Sequence, residues 1–222
     1  MKKLTTILLL FLCMTAFCSS DTIGRKEFKL GIIFSPEGLT EISKLRLDGD
    51  NGYNLERSYF NYVVGIVGQF PITQKLDIGT GITYSQQDLK GTYYCAYCNS
   101  LPFEPERLNL RFLEIPVFIQ YNLLNSKIKL HVQAGFIGSY LISRPDLNLY
   151  NRQDLNYASN TSFNRPLSKG FLGIGTNIDI GKKINFQLTP TYRYSFNYLF
   201  NDTNLKMHSL GITAGMTYRI NK

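Results

Sequence analysis

Long apolar runs are missing from this chain once its opening residues are set aside. Nothing after residue 20 approaches the roughly 20 consecutive apolar residues that a membrane helix needs. If the chain enters a bilayer, it must do so with strands closed into a barrel. Histidine is scarce as well. His131 and His208 are the only two in 222 residues, so a zinc site built on a cysteine pair and histidines would need both of them, from two distant segments of the chain. No segment has the three-to-four-residue apolar spacing of an amphipathic helix. That excludes βαβ architecture and the thioredoxin-like chemistry that goes with it.

The first residues, MKKLTTILLLFLCMTAFCSS, place Lys2 and Lys3 before an apolar run from Ile7 to Phe17 and then small residues up to Ser20. This is the pattern of a secretory signal peptide over 1–20, which leaves a single domain over 21–222 starting near Asp21. A lipoprotein signal would place a small residue directly before Cys18, and Phe17 stands there instead. The formal charge of +8 falls to +6 without Lys2 and Lys3. An exported chain of this kind has no nucleic-acid partner.

Period-two alternation is what the sequence has in abundance. In RFLEIPVFIQY, Leu113, Ile115, Val117, Ile119 and Tyr121 form one apolar face, with Phe112, Glu114, Pro116, Phe118 and Gln120 on the other. The pattern recurs over 27–35, 58–70, 76–86, 108–121, 127–142, 169–180, 184–195 and 209–220, and predicts eight strands. Pro116 and Pro190 fall inside two of them and predict a local cost or a bulge. The connections alternate long and short: 36–57, 87–107, 143–168 and 196–207 are long, whereas 71–75, 122–126 and 181–183 are short. Up-and-down strands with tight turns at one end and long loops at the other form the pattern of an outer-membrane barrel.

Composition of the two faces decides which one is inside. The alternate set that holds Leu76, Ile78, Ile82 and Tyr84 is bulky, and eight strands enclose too little space for it; the set with Asp77, Gly79, Gly81, Thr83 and Ser85 fits. The fold expected is therefore all-β: an eight-stranded antiparallel up-and-down transmembrane β-barrel in the bacterial outer membrane, with lipid against its apolar face. A secreted soluble barrel of lipocalin type, holding a small apolar ligand, is the alternative. It needs the opposite face inside.

The expected lumen collects Asp77, Glu114, Gln120, Lys129, His131, Gln133, Asp179, Gln187, Arg193 and Arg219, with Lys29, Asn61, Gln69, Asn177 and Asn185 beside them. Charges of both signs in a confined interior must pair, so these residues are expected to plug the barrel; a small polar pore or proton path is the competing use. Cys95 and Cys98 in TYYCAYCNS lie on the second long loop. In an exported protein a disulfide is the favoured state, with a redox pair and half a zinc site as alternatives. His208 and Ser209 are neighbours on a strand and must face opposite sides, so they do not make a catalytic pair. No catalytic, cofactor or metal residue is assigned, and the chain is expected not to be an enzyme.

Basic residues gather at the turn end: Arg25, Lys26, Lys75, Lys127, Lys182, Lys183 and Lys222. They suit contact with lipid phosphates of the inner leaflet, or with an acidic periplasmic partner. The long segment 36–57 instead carries three basic residues against five acidic ones.

LEIPVFIQY, followed by a short turn and KIKLHVQAGFIGSYLIS, resembles the PorT-like outer-membrane β-barrel family of Bacteroidetes, whose members carry an L-E-I-P strand and then a glycine-bearing strand. GFLGIGTNIDI and the terminal LGITAGMTYRI extend the likeness loosely over the mature chain. The chain ends in Lys222 and not in the aromatic residue of many proteobacterial barrels. The resemblance implies an outer-membrane location and, through the family's namesake, a place in an envelope secretion or transport assembly; it carries over no catalytic residues.

Overall fold

The computed structural model describes residues 27–39, 44–46, 51–57, 60–95, 106–124, 128–143, 164–199 and 206–220. Ten strands run through them: β1 (Phe28–Leu39), β2 (Lys44–Arg46), β3 (Asn51–Arg57), β4 (Asn61–Pro71), β5 (Leu76–Cys95), β6 (Glu106–Asn122), β7 (Ile128–Leu141), β8 (Pro166–Ile180), β9 (Ile184–Ser195) and β10 (His208–Ile220). Eight of them, β1 and β4 to β10, pair antiparallel around a closed ring. The ring is sealed where β1 meets β10, with Phe28 opposite Ile220 and Phe34 opposite Ala214. The two short strands lie outside the ring: β3 continues the ladder on the upper part of β5, from Arg57 opposite Leu89 to Asn51 opposite Cys95, and β2 pairs with β3.

The ends of the barrel differ as the connection lengths predict. Short turns join β4 to β5, β6 to β7 and β8 to β9 at the end that also holds the start of β1 and the finish of β10. The first turn is tied by Thr73, whose Oγ1 accepts from the backbone N–H groups of Lys75 and Leu76 at 3.2 and 3.0 Å. The turn over 181–183 places Gly181 at φ 72°, a backbone conformation that favours glycine.

Two sequence-based expectations change. The segments 36–57 and 87–107 are not simply loops: β1 runs on to Leu39, β2 and β3 occupy part of the first segment, and β5 and β6 continue through Cys95 and from Glu106 in the second. Inward burial still alternates in the described parts of these segments, at Glu37, Gln87, Leu89 and Leu110, but their outward residues are no longer apolar, so the sequence contrast between the faces is lost while the backbone pairing persists. The prolines also differ from a bulge. Pairing of β6 to β5 keeps one register on both sides of Pro116 and skips only its immediate surroundings, and β9 behaves likewise toward β8 at Pro190. The Pro116 carbonyl accepts from Thr80 Oγ1 at 3.0 Å, so this acceptor stays satisfied where the ladder is interrupted.

The apolar face points outward all round the ring. Ile32, Ile66, Ile82, Ile115, Leu172 and Ile212 are exposed, each by 51% or more, whereas Glu114, Gln120 and His131 are completely buried. Aromatic rings border this aliphatic band. Phe28, Phe70, Tyr121 and Tyr218 stand at the turn end, and Phe60, Tyr62, Tyr84, Tyr140, Tyr192 and Tyr198 toward the loop end. An apolar belt between two aromatic girdles is the surface of a transmembrane barrel. It overturns the lipocalin-type alternative, which needs those side chains inside.

The inside-out packing is testable at Ile115, near the middle of the belt. Ile115→Leu should change stability by less than about 1.5 kcal/mol, whereas Ile115→Arg should cost about 2 to 4 kcal/mol, both measured by urea unfolding in lipid vesicles. A severe Ile115→Ala alongside a mild Ile115→Arg would show that the side chain packs in a core.

Candidate functional site

Because each strand turns alternate residues inward, eight strands bring charges that are distant in sequence into one narrow lumen, where they sort into tiers. At the turn end, Lys29 Nζ of β1 lies 2.7 Å from Asp77 Oδ2 of β5. Beside them Asp179 receives Lys129 Nζ at 2.9 Å, the guanidinium of Arg219, and Asn185 Nδ2 at 2.9 Å. Gln120, buried between β5 and β7, donates to Asn122 Oδ1 at 3.2 Å and has no ionic partner.

The middle tier is neutral. His131 Nε2 lies 3.1 Å from Thr189 Oγ1. Gln187 Nε2 donates to the same hydroxyl at 3.0 Å and to Gln133 Oε1 at 3.4 Å. Hydroxyls continue across the strands, Thr191 to Thr213 at 3.3 Å and Thr213 to Ser35 at 3.1 Å. A cavity of about 40 Å³ lies here. It has room for water but not for a substrate. The Phe118 ring narrows it further, packed edge-on to Phe171 with centroids 6.0 Å apart. A Cβ on Gly79, its partner on β5, would collide with that ring, so glycine at 79 is what lets the aromatic side chain lie over the neighbouring strand.

Nearer the loops sits the most buried tier. Glu114 takes Lys169 Nζ at 2.7 Å, Arg193 Nη1 at 3.1 Å and the Ser139 hydroxyl at 3.1 Å. Arg193 Nε is also 2.9 Å from Glu37 Oε1, a charge contact without hydrogen-bond alignment. Glu37 Oε2 accepts from Ser209 at 3.1 Å and from Gln87 at 3.5 Å. Lys169 Nζ lies 4.5 Å above the Phe112 ring.

Glu37 and Lys169 are the two charges that sequence reasoning missed. Both were within reach of the alternation itself: Glu37 is in phase with Lys29, and Lys169 with Asn177 and Asp179. Glu37 lies past the 27–35 alternation, in the segment that the sequence predicts as a loop, whereas β1 runs on to Leu39. The lumen also departs from the small polar lining expected. Leu110, Phe112, Leu141 and Leu167 are all buried toward the loop end, so the upper ion pairs lie next to apolar side chains. That surrounding strengthens the pairs and raises the cost of breaking them.

The imidazole of His131 against the Thr189 hydroxyl has the outline of a base and a nucleophile. It lacks an orienting partner, since His131 Nδ1 has no hydrogen-bond partner among the described residues. His208 and Ser209 do face opposite sides, the imidazole toward Tyr192 on the outer surface and the hydroxyl toward Glu37 in the lumen. No cluster of metal-ligating side chains occurs among the described residues. Cys98 and the side chain of Cys95 lie outside the described residues.

Glu114 holds two cations at once, so Glu114→Ala should cost about 3 to 5 kcal/mol by leaving them buried and unpaired. Removing the charge and its closest partner together, in Glu114→Leu with Lys169→Met, should cost less than Glu114→Ala alone. Urea unfolding in lipid vesicles compares the two, and a larger loss in the double variant would mean that packing, not charge, sets the cost.

Comparison with known proteins agrees with this geometry. The chain resembles OprG, an outer membrane protein of Pseudomonas aeruginosa, with a TM-score of 0.55 and 12% identity over 91% of this chain and 100% of that one. It also resembles Neisserial surface protein A of Neisseria, with a TM-score of 0.50 and 12% identity over 87% and 97% of the two chains. At such identities the likeness is one of fold. No curated protein matches the sequence. The model of the outer membrane protein beta-barrel domain matches residues 26–201, and the chain, an eight-stranded barrel of the bacterial outer membrane, belongs to that family.

Proposed function

We propose that this barrel is a non-enzymatic, closed membrane anchor that presents the sheet at its loop end to another envelope protein, as part of a secretion or transport assembly. The observation that carries the reading is the contrast between the two ends of the molecule. The lumen is filled by two tiers of ion pairs with a cavity of only about 40 Å³ between them, so the interior serves as a plug and not as a passage. Above it, β5 and β6 stay paired as far as Gly91 opposite Glu106, and β3 and β2 are added to the same sheet. Material built beyond the membrane has no part in spanning it.

The finer likeness to PorT-like barrels of Bacteroidetes belongs to this reading and supports the assembly role. Residues 1–20 are removed on export in this proposal, and Cys95, whose backbone ends β5, is joined to Cys98 in a disulfide. Lipid is the partner of the outer surface, and exposed Lys75, Lys182 and Lys183 at the turn end face the inner-leaflet phosphates.

Replacing 40–59 with a short turn tests the proposal. The shortened barrel should still show heat-modifiable gel migration, carry no steady current across a planar bilayer, and lose the crosslinked envelope partner that the full chain captures in intact cells. Retained crosslinking would sink the presentation role, and a steady current through the unaltered protein would sink the plug.

The cysteines give a separate check. They should resist alkylation until a reductant is added. Loss of the pair should leave barrel stability nearly unchanged, because a very short loop removes little chain entropy.

A further inference from the structure

On the lipid-facing side, where β9 and β10 reach the loop-end girdle, Tyr192, Tyr194 and Tyr198 gather around two basic side chains, Lys206 and His208. Lys206 Nζ donates to Tyr194 Oη at 3.0 Å and lies 5.3 Å from the centroids of both the Tyr194 and Tyr198 rings. Tyr192 Oη is 2.7 Å from His208 Nδ1, and the Tyr194 ring meets the imidazole edge-on at 4.6 Å. Asn164 Nδ2 donates to the Tyr198 carbonyl at 3.0 Å, which ties this platform to the start of β8.

An exposed lysine usually gains little from being held in one place and loses rotamer entropy. Here two ring faces and a phenol fix the ammonium without neutralising it. The hydrogen bond to Tyr194 holds its pKa above the ordinary lysine value, against a smaller opposing effect of burial. Every ionic contact of the lumen lysines ends on a carboxylate; among the described residues none pairs with Lys206. An ammonium has three N–H donors, and the Tyr194 bond uses one. The girdle sets the height of the cluster at the level of the headgroups. The anion available at that height is a lipid phosphate.

We propose that Lys206, with His208 beside it on the tyrosine platform, is a binding site for the phosphate of an outer-leaflet lipid headgroup. The inference rests on the membrane placement of the barrel and is independent of the closed lumen and of any protein partner. The tyrosines orient the cation, and the ammonium supplies the charge-assisted hydrogen bond to the phosphate oxygen.

The full chain, folded in an uncharged detergent, can be titrated with a glycolipid carrying phosphate monoesters and with the same lipid after dephosphorylation, read by native mass spectrometry. The phosphorylated form should bind about tenfold more tightly, the size expected of one hydrogen bond to a charged group. Lys206→Gln should bring the two lipids within about twofold while keeping heat-modifiable migration, and Tyr194→Phe, which keeps the ring and removes the phenol, should lower the preference part of the way. Lys183→Gln, at the opposite girdle, should keep the full preference. Equal binding of the two lipids by the unaltered chain, or a preference that survives Lys206→Gln, overturns the proposal. Loss of the preference in Lys183→Gln would move the site to the turn end. Displacement of the lipid by millimolar inorganic phosphate would make a soluble anion the ligand.

Discussion

Hydrocarbon offers a backbone amide no hydrogen-bond partner, and the architecture follows from that single constraint. Strands that cross the bilayer must satisfy one another, and the last must return to the first, which is what β10 does by pairing with β1. Proline removes one donor from the ladder. At Pro116 the carbonyl still has a partner, because it accepts from the Thr80 hydroxyl, and the register on either side is preserved. A bulge there would have moved every later residue of β6 to the wrong face, with Glu114 or Gln120 turned to lipid.

Closing the ring creates a second constraint. Eight strands leave a lumen about the width of side chains, and the charges that alternation drives into it have no bulk water to screen them. They are stable only as pairs, and the pairing is shared: Arg193 serves Glu114 and Glu37, and Asp179 serves Lys129 and Arg219. Shared partners tie β1, β6, β8 and β9 together through their side chains as well as their backbones. Phe118, which lies over Gly79 of β5 and meets Phe171 of β8, does with an aromatic ring what the ion pairs do with charge.

The outer surface is less uniform than an apolar belt suggests. Over most of it, side chains need only be greasy, and one aliphatic residue can replace another. At the loop-end rim the requirements are specific, because rings, an ammonium and an imidazole are held in fixed relation where lipid gives way to water. Beyond the rim, β2 and β3 pair onto β5, and β5 and β6 stay paired as far as Gly91 opposite Glu106. Their pairing is free to serve contacts outside the membrane.

The eight spanning strands, their order and the face each turns to lipid were legible in the amino-acid sequence, because a bilayer imposes a period-two pattern that each strand must carry in its own residues. The alternation of long and short connections likewise follows from chain order alone. What lay beyond the membrane was not legible: β2, β3 and the ends of β5 and β6 are held by backbone pairing, and their sequences carry no run of alternating apolar residues that would mark them as strands. Nor was the partnership of the charges. Glu114, Lys169, Arg193 and Glu37 come from four strands and lie as far as 156 positions apart in the chain. Only closure of the ring, with its particular register, decides which carboxylate meets which cation, since alternation says that a residue points inward but not at what height or toward whom.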